Sequence, residues 1–74
     1  MNLALSYALS PQKKLGMKIR LARVSCELSQ KRLGELINCS QDVVSRFECG
    51  RTDPSATMLK AIADALGHPI EFFL

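Results

Sequence analysis

The chain has 74 residues, of which 47% are hydrophobic, 23% charged and 5% aromatic, and its formal net charge is +3. A chain of this length forms one domain that buries only about 60% of its unfolded surface, so dimerisation would add stability. The shortage of aromatic side chains argues against a surface that stacks the bases of single-stranded nucleic acid. A helical binder of duplex nucleic acid fits the composition better.

The basic residues concentrate in the first two thirds of the chain. Residues 1–28 contain five basic residues and one acidic residue, whereas residues 52–74 contain one basic and three acidic residues. A polyanionic partner would therefore meet the N-terminal and middle parts. Charge alone is equally typical of a solvated helix face.

The cysteines and the single histidine exclude several kinds of site. Cys26, Cys39 and Cys49 form no CxxC pair, and His68 is the one imidazole available to join them, so neither a zinc site nor a disulfide framework is predicted. The opening segment lacks basic residues and is too short to span a membrane. These features predict a reduced, cytoplasmic protein without a metal or cofactor.

Residues 1–10 are predicted to form an N-terminal arm. Leu3, Leu5, Tyr7 and Leu9 alternate as in a short strand, although Leu5 and Leu9 also have helical spacing. We expect the arm to pack on a partner subunit, and a frayed terminus is the alternative.

Ser10 and Pro11 mark the start of the first helix, because proline at the first helical position loses no hydrogen bond. The helix is predicted over residues 11–26. Its inward residues are expected to be Leu15, Ile19, Ala22 and Cys26.

Residues 29–54 predict two short helices joined by a tight turn. Ser29 caps the first, the turn lies at Asn38, and Ser40 caps the second. The apolar periodicity places one set of residues inward: Leu33, Leu36, Ile37, Val43, Val44 and Phe47. It leaves a polar face outward on the second helix: Gln41, Asp42, Ser45 and Arg46.

The remaining chain predicts two more helices, over residues 56–66 and 70–73, separated by Gly67 and Pro69. The C-terminus is rich in apolar residues, which either close the core or form a two-fold interface: Ile70, Phe72, Phe73 and Leu74.

A family resemblance rests on several separated motifs: Ser29-Gln30, Leu33 followed by a small residue, the turn at 38–40, the run Val44-Ser45-Arg46-Phe47-Glu48, Gly50-Arg51 and Pro54. From about Leu15 to the C-terminus the chain resembles the XRE-like helix-turn-helix domains, which include the lambdoid phage repressors and Cro. The resemblance implies an all-α, five-helix, lambda-repressor-like DNA-binding domain over residues 11–74. The chain departs from the family at Gly34, usually alanine, and at Asn38, usually glycine.

The resemblance also implies which residues meet DNA. Gln41, Asp42, Ser45 and Arg46 would face the bases, with Gln41 on adenine and Arg46 on guanine or on a phosphate. Asp42 either accepts from a cytosine or stabilises the positive end of its helix. The residues expected near the DNA backbone are Gln30, Ser40, Cys49, Arg51, Thr52, Lys18 and Arg20.

Arg23 and Glu48 are expected to form a structural pair, again by resemblance, and not to contact DNA. Cys39 takes a position that the family fills with an apolar residue, so a buried thiol is expected there. A redox role for the more exposed Cys49 is the weaker alternative to an inert thiol.

The predicted function is a dimeric, sequence-specific regulator of the prokaryotic or phage kind, a repressor or autoregulator that binds a palindromic operator. An antitoxin-like module that binds a protein partner and represses its own operon is the alternative, and a fold used only as a scaffold is a third. An enzyme is not expected, because the chain has one histidine, no phosphate-binding glycine loop and no carboxylate pair.

Overall fold

The structure, a computed structural model, describes residues 9–74. Four α-helices follow one another, and a 3-10 turn ends the chain: α1 (Pro11–Ser25), α2 (Gln30–Ile37), α3 (Gln41–Glu48), α4 (Ala56–Leu66) and the turn Ile70–Phe73. The all-α class is confirmed for the described residues. The predicted arm, with Leu3, Leu5 and Tyr7, lies outside them.

The prediction of five helices is wrong, because residues 70–73 form one 3-10 turn. The N–H of Phe72 bonds to the carbonyl of Pro69 and that of Leu74 to the carbonyl of Glu71, both three residues back. So short a segment lacks the residues for successive four-residue hydrogen bonds.

A serine N-cap begins each of the four α-helices. The hydroxyl oxygens of Ser10, Ser29, Ser40 and Ser55 each accept a hydrogen bond of 2.9–3.3 Å from the backbone N–H three residues on. Each cap satisfies one of the N–H groups that a helix start leaves without a partner, which stabilises the helix by about 1 kcal/mol. The helix starts therefore lie where the sequence predicts them.

The turn between α2 and α3 depends on Asn38 and Gly34. Asn38 adopts the left-handed conformation (φ 60°, ψ 46°), as predicted, and the N–H of Cys39 then bonds to the carbonyl of Gly34 at 2.8 Å. A Cβ atom on Gly34 would lie 2.6 Å from the carbonyl oxygen of Cys39. The missing side chain lets the turn close tightly over α2.

One side chain from each α-helix is completely buried at the centre of the core: Ile19, Leu33, Val44 and Ile62. Phe73 of the 3-10 turn, 3% exposed, closes the core beside them. Each such burial contributes about 1.5–3 kcal/mol. The core thus ties both helices of the helix-turn-helix to α1 and α4.

Two residues predicted to point inward are exposed. Cys26 follows the last residue of α1 and has left the helix face on which the prediction placed it. Leu36 is 46% exposed on the flank of α2, outside the buried set of Leu33, Gly34 and Ile37. Leu15 and Val43 are half-buried against the core.

The predicted C-terminal apolar cluster divides in the structure. Phe73 is buried and Ile70 half-buried, whereas Phe72 and Leu74 are exposed. Between residues 9 and 74, none of the helices combines the length and apolarity that crossing a bilayer would require.

Candidate nucleic-acid interface

A buried ion pair fixes the C-terminal end of α3. The Nε of Arg23 donates to Oε2 of Glu48 at 2.6 Å, and Nη2 donates to Oε1 at 3.0 Å. The side chains of Arg23 and Glu48 are only 12% and 3% exposed. The two residues expected as a pair are therefore in bidentate contact, which joins α1 to the end of α3.

Two further hydrogen bonds complete this network. Nη1 of Arg23 donates to the carbonyl of Leu28 at 2.7 Å, and the side-chain amide of Gln30 donates to Oε1 of Glu48 at 3.1 Å. The hydrogen bond and the charge of Glu48 raise the pKa of Arg23 above its usual value, against the opposing effect of burial. Three helices therefore meet at one carboxylate.

Gly16 allows α1 and the end of α3 to approach closely. A Cβ atom at residue 16 would lie 2.5 Å from the carbonyl oxygens of both Phe47 and Glu48. No Cβ fits at that distance, so α1 packs directly on the last carbonyls of α3. Sequence reasoning missed this residue. The available signal was a glycine inside a predicted helix, where it costs about 1 kcal/mol relative to alanine unless packing requires it.

The opposite face of α3 carries the residues predicted to meet the bases. Gln41, Asp42 and Arg46 are exposed and Ser45 is half-buried. The pairs 41/45 and 42/46 are four residues apart, so all four share one side of the helix. Within residues 9–74 their side chains form no hydrogen bond or ion pair. Three of the four side chains are thus accessible to solvent, and the fourth is partly accessible.

Asp42 lies in the first turn of α3, where its charge stabilises the partial positive charge of the helix N-terminus. Arg46 lies in the last turn, where its charge is equally favourable. Both charges therefore interact favourably with the dipole of α3, independently of any ligand.

The residues predicted near the DNA backbone divide between two regions. Ser40 caps α3, and Cys49, Arg51 and Thr52 are exposed just after its end. The N–H of Arg51 bonds to the carbonyl of Arg46 at 2.9 Å, and Gly50 turns the chain with φ 73°. These four residues border α3 at its two ends.

Lys18 and Arg20 lie elsewhere, on α1. They line a groove along that helix together with Lys14 and four apolar side chains. Gln30 differs again, because its amide already bonds to Glu48. Ser40, Cys49, Arg51 and Thr52 therefore border the exposed face of α3, whereas Lys18 and Arg20 belong to α1.

The remaining cysteine and histidine candidates are explained by packing contacts. Cys39 is half-buried, burial raises the pKa of its thiol, and its sulfur lies 3.9 Å from that of Met58. The ring of His68 stacks on Phe72 with centroids 4.3 Å apart. From residue 9 onward, the structure brings no three His, Cys, Asp or Glu side chains together as metal ligands.

Comparisons with known proteins agree with this geometry. A family model described as helix-turn-helix matches residues 19–73. An uncharacterized HTH-type transcriptional regulator of Sinorhizobium medicae is 32% identical over 59 residues, which cover 80% of this chain and 42% of the relative. The chain spans about half the length of the curated relatives that it matches.

Solved structures share the fold. The restriction-modification controller protein C.AhdI from Aeromonas hydrophila superposes with a TM-score of 0.81 at 25% identity, over 85% of this chain and 91% of that one. PlcR of Bacillus thuringiensis, in complex with the peptide PapR7 and DNA, superposes with a TM-score of 0.76. It is 46% identical over 82% of this chain and 21% of PlcR.

Proposed function

Because this chain belongs to the XRE-type helix-turn-helix family of DNA-binding transcription regulators, we propose that it is a homodimeric repressor or autoregulator that binds a palindromic operator through α3. The observation that carries this proposal is the contrast between the two sides of α3. One side is held by the core and the Arg23–Glu48 pair, and the other presents polar side chains that have no partner among residues 9–74. A rigid helix with a free polar face suits insertion into the major groove.

Gln41 and Arg46 are the proposed base-reading residues with the clearest chemistry. A glutamine amide matches the N6 and N7 atoms of adenine, and a guanidinium matches O6 and N7 of guanine. Arg46 is exposed and, among the described residues, has no carboxylate within ion-pair distance. We propose a guanine contact for Arg46, with a phosphate contact as the alternative that the experiment below separates.

Asp42 and Ser45 complete the proposed reading face. Asp42 can accept from the amino group of cytosine, but its place at the N-terminus of α3 already explains its charge. We therefore assign Asp42 to helix stabilisation first. Ser45 is half-buried and can bond to any base edge that comes near.

Phosphate contacts are proposed for the residues that border α3, namely Ser40, Cys49, Arg51 and Thr52. Gln30 would brace the reading face from the start of α2 through its bond to Glu48, while also lying near the backbone. Lys18 and Arg20 would reach only flanking phosphates, because they lie along α1.

Dimerisation is proposed through the exposed C-terminal residues Phe72 and Leu74. Two copies related by a two-fold axis would place two α3 helices about 34 Å apart, one turn of duplex DNA, which requires a roughly palindromic site. The presence of DNA in the PlcR structure supports DNA as the ligand of this fold. The proposed function requires no catalysis and no cofactor.

The test is selection from a randomised duplex pool at two salt concentrations, followed by sequencing of the retained DNA. Enrichment of a palindrome whose binding weakens steeply with salt supports the proposal. Absence of enrichment and of salt dependence would contradict it.

Arg46→Ala then distinguishes base from phosphate contact. Loss of preference at one base pair indicates base reading, whereas an equal loss on every sequence indicates a phosphate contact. Lys60→Ala is the matched control, because it removes the same charge from an exposed site on α4. It should leave specificity unchanged.

The second candidate function is an antitoxin-like module. The observation that favours it is the apolar surface at the C-terminus, where Leu74 is 79% exposed. A second small protein that co-purifies with the chain, and that Leu74→Asp releases, would support this function in place of simple homodimerisation.

A further inference from the structure

The first turn of α1 lies against the loop that follows α3. A Cβ atom built on Gly50 would lie 2.7 Å from Cγ of Lys13 and 2.9 Å from the Cα and the backbone N of that lysine. The backbone and the stem of Lys13 therefore pack directly over the bare Cα of Gly50, which turns the chain with φ 73°. This contact extends the close packing of α1 on the end of α3 that Gly16 and Arg23 form further along the helix.

We propose that Lys13 contacts a DNA phosphate together with the loop after α3, an inference that rests on the DNA-binding function proposed above. Gly50 lies between Cys49 and Arg51, two of the residues proposed to meet the DNA backbone. A lysine that packs over Gly50 brings its charge to the same loop. Its ammonium group, on a flexible four-carbon stem, is a common ligand of phosphate in proteins.

The side chain of Lys13 is available for such a contact. Lys13 is exposed, and no carboxylate of residues 9–74 lies within ion-pair distance of its ammonium group. Its backbone N–H is already bonded to the hydroxyl oxygen of Ser10 at 3.1 Å, so the start of α1 holds the residue in place. The charge therefore lies on a fixed backbone beside the loop.

The next residue, Lys14, has different surroundings. At 100° of helix rotation per residue, Lys13 lies about 60° around α1 from Gly16, whereas Lys14 lies about 160° from it. Lys14 lines the groove along α1 together with Lys18 and Arg20. Two adjacent lysines thus differ in position, and Lys13 is the one that packs over Gly50.

A purely structural role for Lys13 makes a different prediction. Lys13 lies beside the C-terminal end of α3, where a positive charge interacts favourably with the helix dipole. If that were its whole role, Lys13→Ala would lower the free energy of unfolding and leave the salt dependence of DNA binding unchanged. A phosphate contact predicts a weaker salt dependence, because fewer counterions are released on binding.

The test is fluorescence anisotropy with a labelled duplex of the selected operator over a series of salt concentrations. Each phosphate contact contributes about 0.9 to the slope of log affinity against log salt concentration. Lys13→Ala should therefore reduce the slope by about 0.9 for each protomer bound. It should also weaken binding to the operator and to an unrelated duplex by the same factor, because a phosphate contact carries no sequence information. Lys13→Arg keeps the charge and should keep the slope.

Lys14→Ala is the matched control, because it removes the same charge from the adjacent position of α1, and it should leave the slope unchanged. Three results would overturn the proposal: an unchanged slope in Lys13→Ala, an equal reduction of the slope in Lys14→Ala, or a loss of affinity confined to the operator. Urea unfolding of Lys13→Ala accompanies the binding series. A lower free energy of unfolding with an unchanged slope would assign Lys13 to the structural role.

The unmodified chain separates this proposal from the function on which it rests. Steep salt dependence in the unmodified chain, with the same slope in Lys13→Ala, would overturn the Lys13 contact and leave DNA binding supported. Absence of salt-dependent binding in the unmodified chain would contradict the DNA-binding function and the Lys13 contact with it.

Discussion

The two sides of α3 have opposite surroundings in the structure. On the inner side Phe47 packs in the core, and Glu48 bonds to Arg23 and Gln30 at 2.6–3.1 Å. On the outer side Gln41 and its neighbours have no partner within the described chain. One helix of eight residues therefore combines a side that is fixed by tertiary contacts with a side that is largely exposed to solvent.

The contrast separates stability from recognition. Substitutions on the inner side should lower the free energy of unfolding, and substitutions on the outer side should change DNA affinity and leave that free energy nearly unchanged. The helix backbone is held mainly from the inner side, and the charges of Asp42 and Arg46 add only the smaller favourable interaction with the helix ends. The outer side chains can therefore vary in identity without loss of the fold.

The largest effect is expected from Glu48→Ala. This change leaves the buried guanidinium of Arg23 without its carboxylate, and breaking a buried pair in this way costs about 3–5 kcal/mol. Urea denaturation measures the free energy of unfolding. The matched control is Asp64→Ala, which breaks the exposed pair with Lys60 at 2.7 Å and should cost less than about 1 kcal/mol. Similar losses of unfolding free energy in the two variants would show that the buried pair stabilises the domain no more than the exposed pair does.

Gly16→Ala should have the next largest effect. The new methyl group would lie 2.5 Å from two carbonyl oxygens of α3, so α1 must move away. We expect a loss of about 1–3 kcal/mol from overpacking, which exceeds the gain of about 1 kcal/mol in helix propensity. Thermal or urea unfolding gives the value. Thr57→Ala, at an exposed position of α4, is the control and should be neutral or slightly stabilising. An increase in the free energy of unfolding of the Gly16→Ala variant would show that the close approach of α1 to the end of α3 is not required.

Gln41→Ala tests the outer side. We expect the free energy of unfolding to stay within about 0.5 kcal/mol of the unmodified chain, because the exposed side chain forms no hydrogen bond with any residue from 9 to 74. Binding to the selected operator should weaken by about 1–3 kcal/mol if Gln41 reads a base. Fluorescence anisotropy with labelled duplex measures the binding. Gln12→Ala, which removes an exposed glutamine from the start of α1, is the control for affinity. A large loss of stability in Gln41→Ala would show that the two sides of α3 are not independent.

The smallest effect concerns Cys39 at alkaline pH. Burial raises the pKa of its thiol in the native state, so the unfolded chain releases the proton at lower pH. The stability that depends on the neutral thiol is fully present below the unfolded pKa and is lost as pH rises through the folded pKa. Under reducing conditions, the free energy of unfolding should fall between neutral and alkaline pH, and it should fall less in the Cys39→Val variant than in the unmodified chain. Cys49→Ser, at an exposed position, should behave as the unmodified chain does.

Local sequence signals predicted the helix starts and the turn, and the reason is physical. A serine cap and a left-handed asparagine act through hydrogen bonds and dihedral preferences within a few residues, so neither needs tertiary contacts to be recognised. Ser10, Ser29, Ser40 and Asn38 all behave in the structure as these rules require. The outward position of Gln41, Asp42 and Arg46 follows from the same helical periodicity.

The sequence predictions failed at positions whose burial or conformation depends on tertiary packing. Periodicity gives the direction of an apolar face but not its width, so it assigned Leu36 to the core although nearly half of its surface is exposed. It also cannot show that Gly16 lies against the carbonyls of a helix more than thirty residues later. The last four residues before Leu74 carry a helical pattern, yet the segment is too short to complete more than a 3-10 turn. The roles of the outer residues on DNA remain predictions, because they depend on a ligand.

The bond between Arg23 and Glu48 joins residues 25 positions apart and so couples the opening motions of α1 and α3. The end of α3 cannot unwind alone without leaving the buried guanidinium of Arg23 without its carboxylate, which adds about 3–5 kcal/mol to the cost of local fraying. In deuterated water the backbone amides of the last turn of α3 should therefore exchange at the rate of global unfolding. The helix that we propose to face DNA would then belong to the slowest-exchanging unit of the protein.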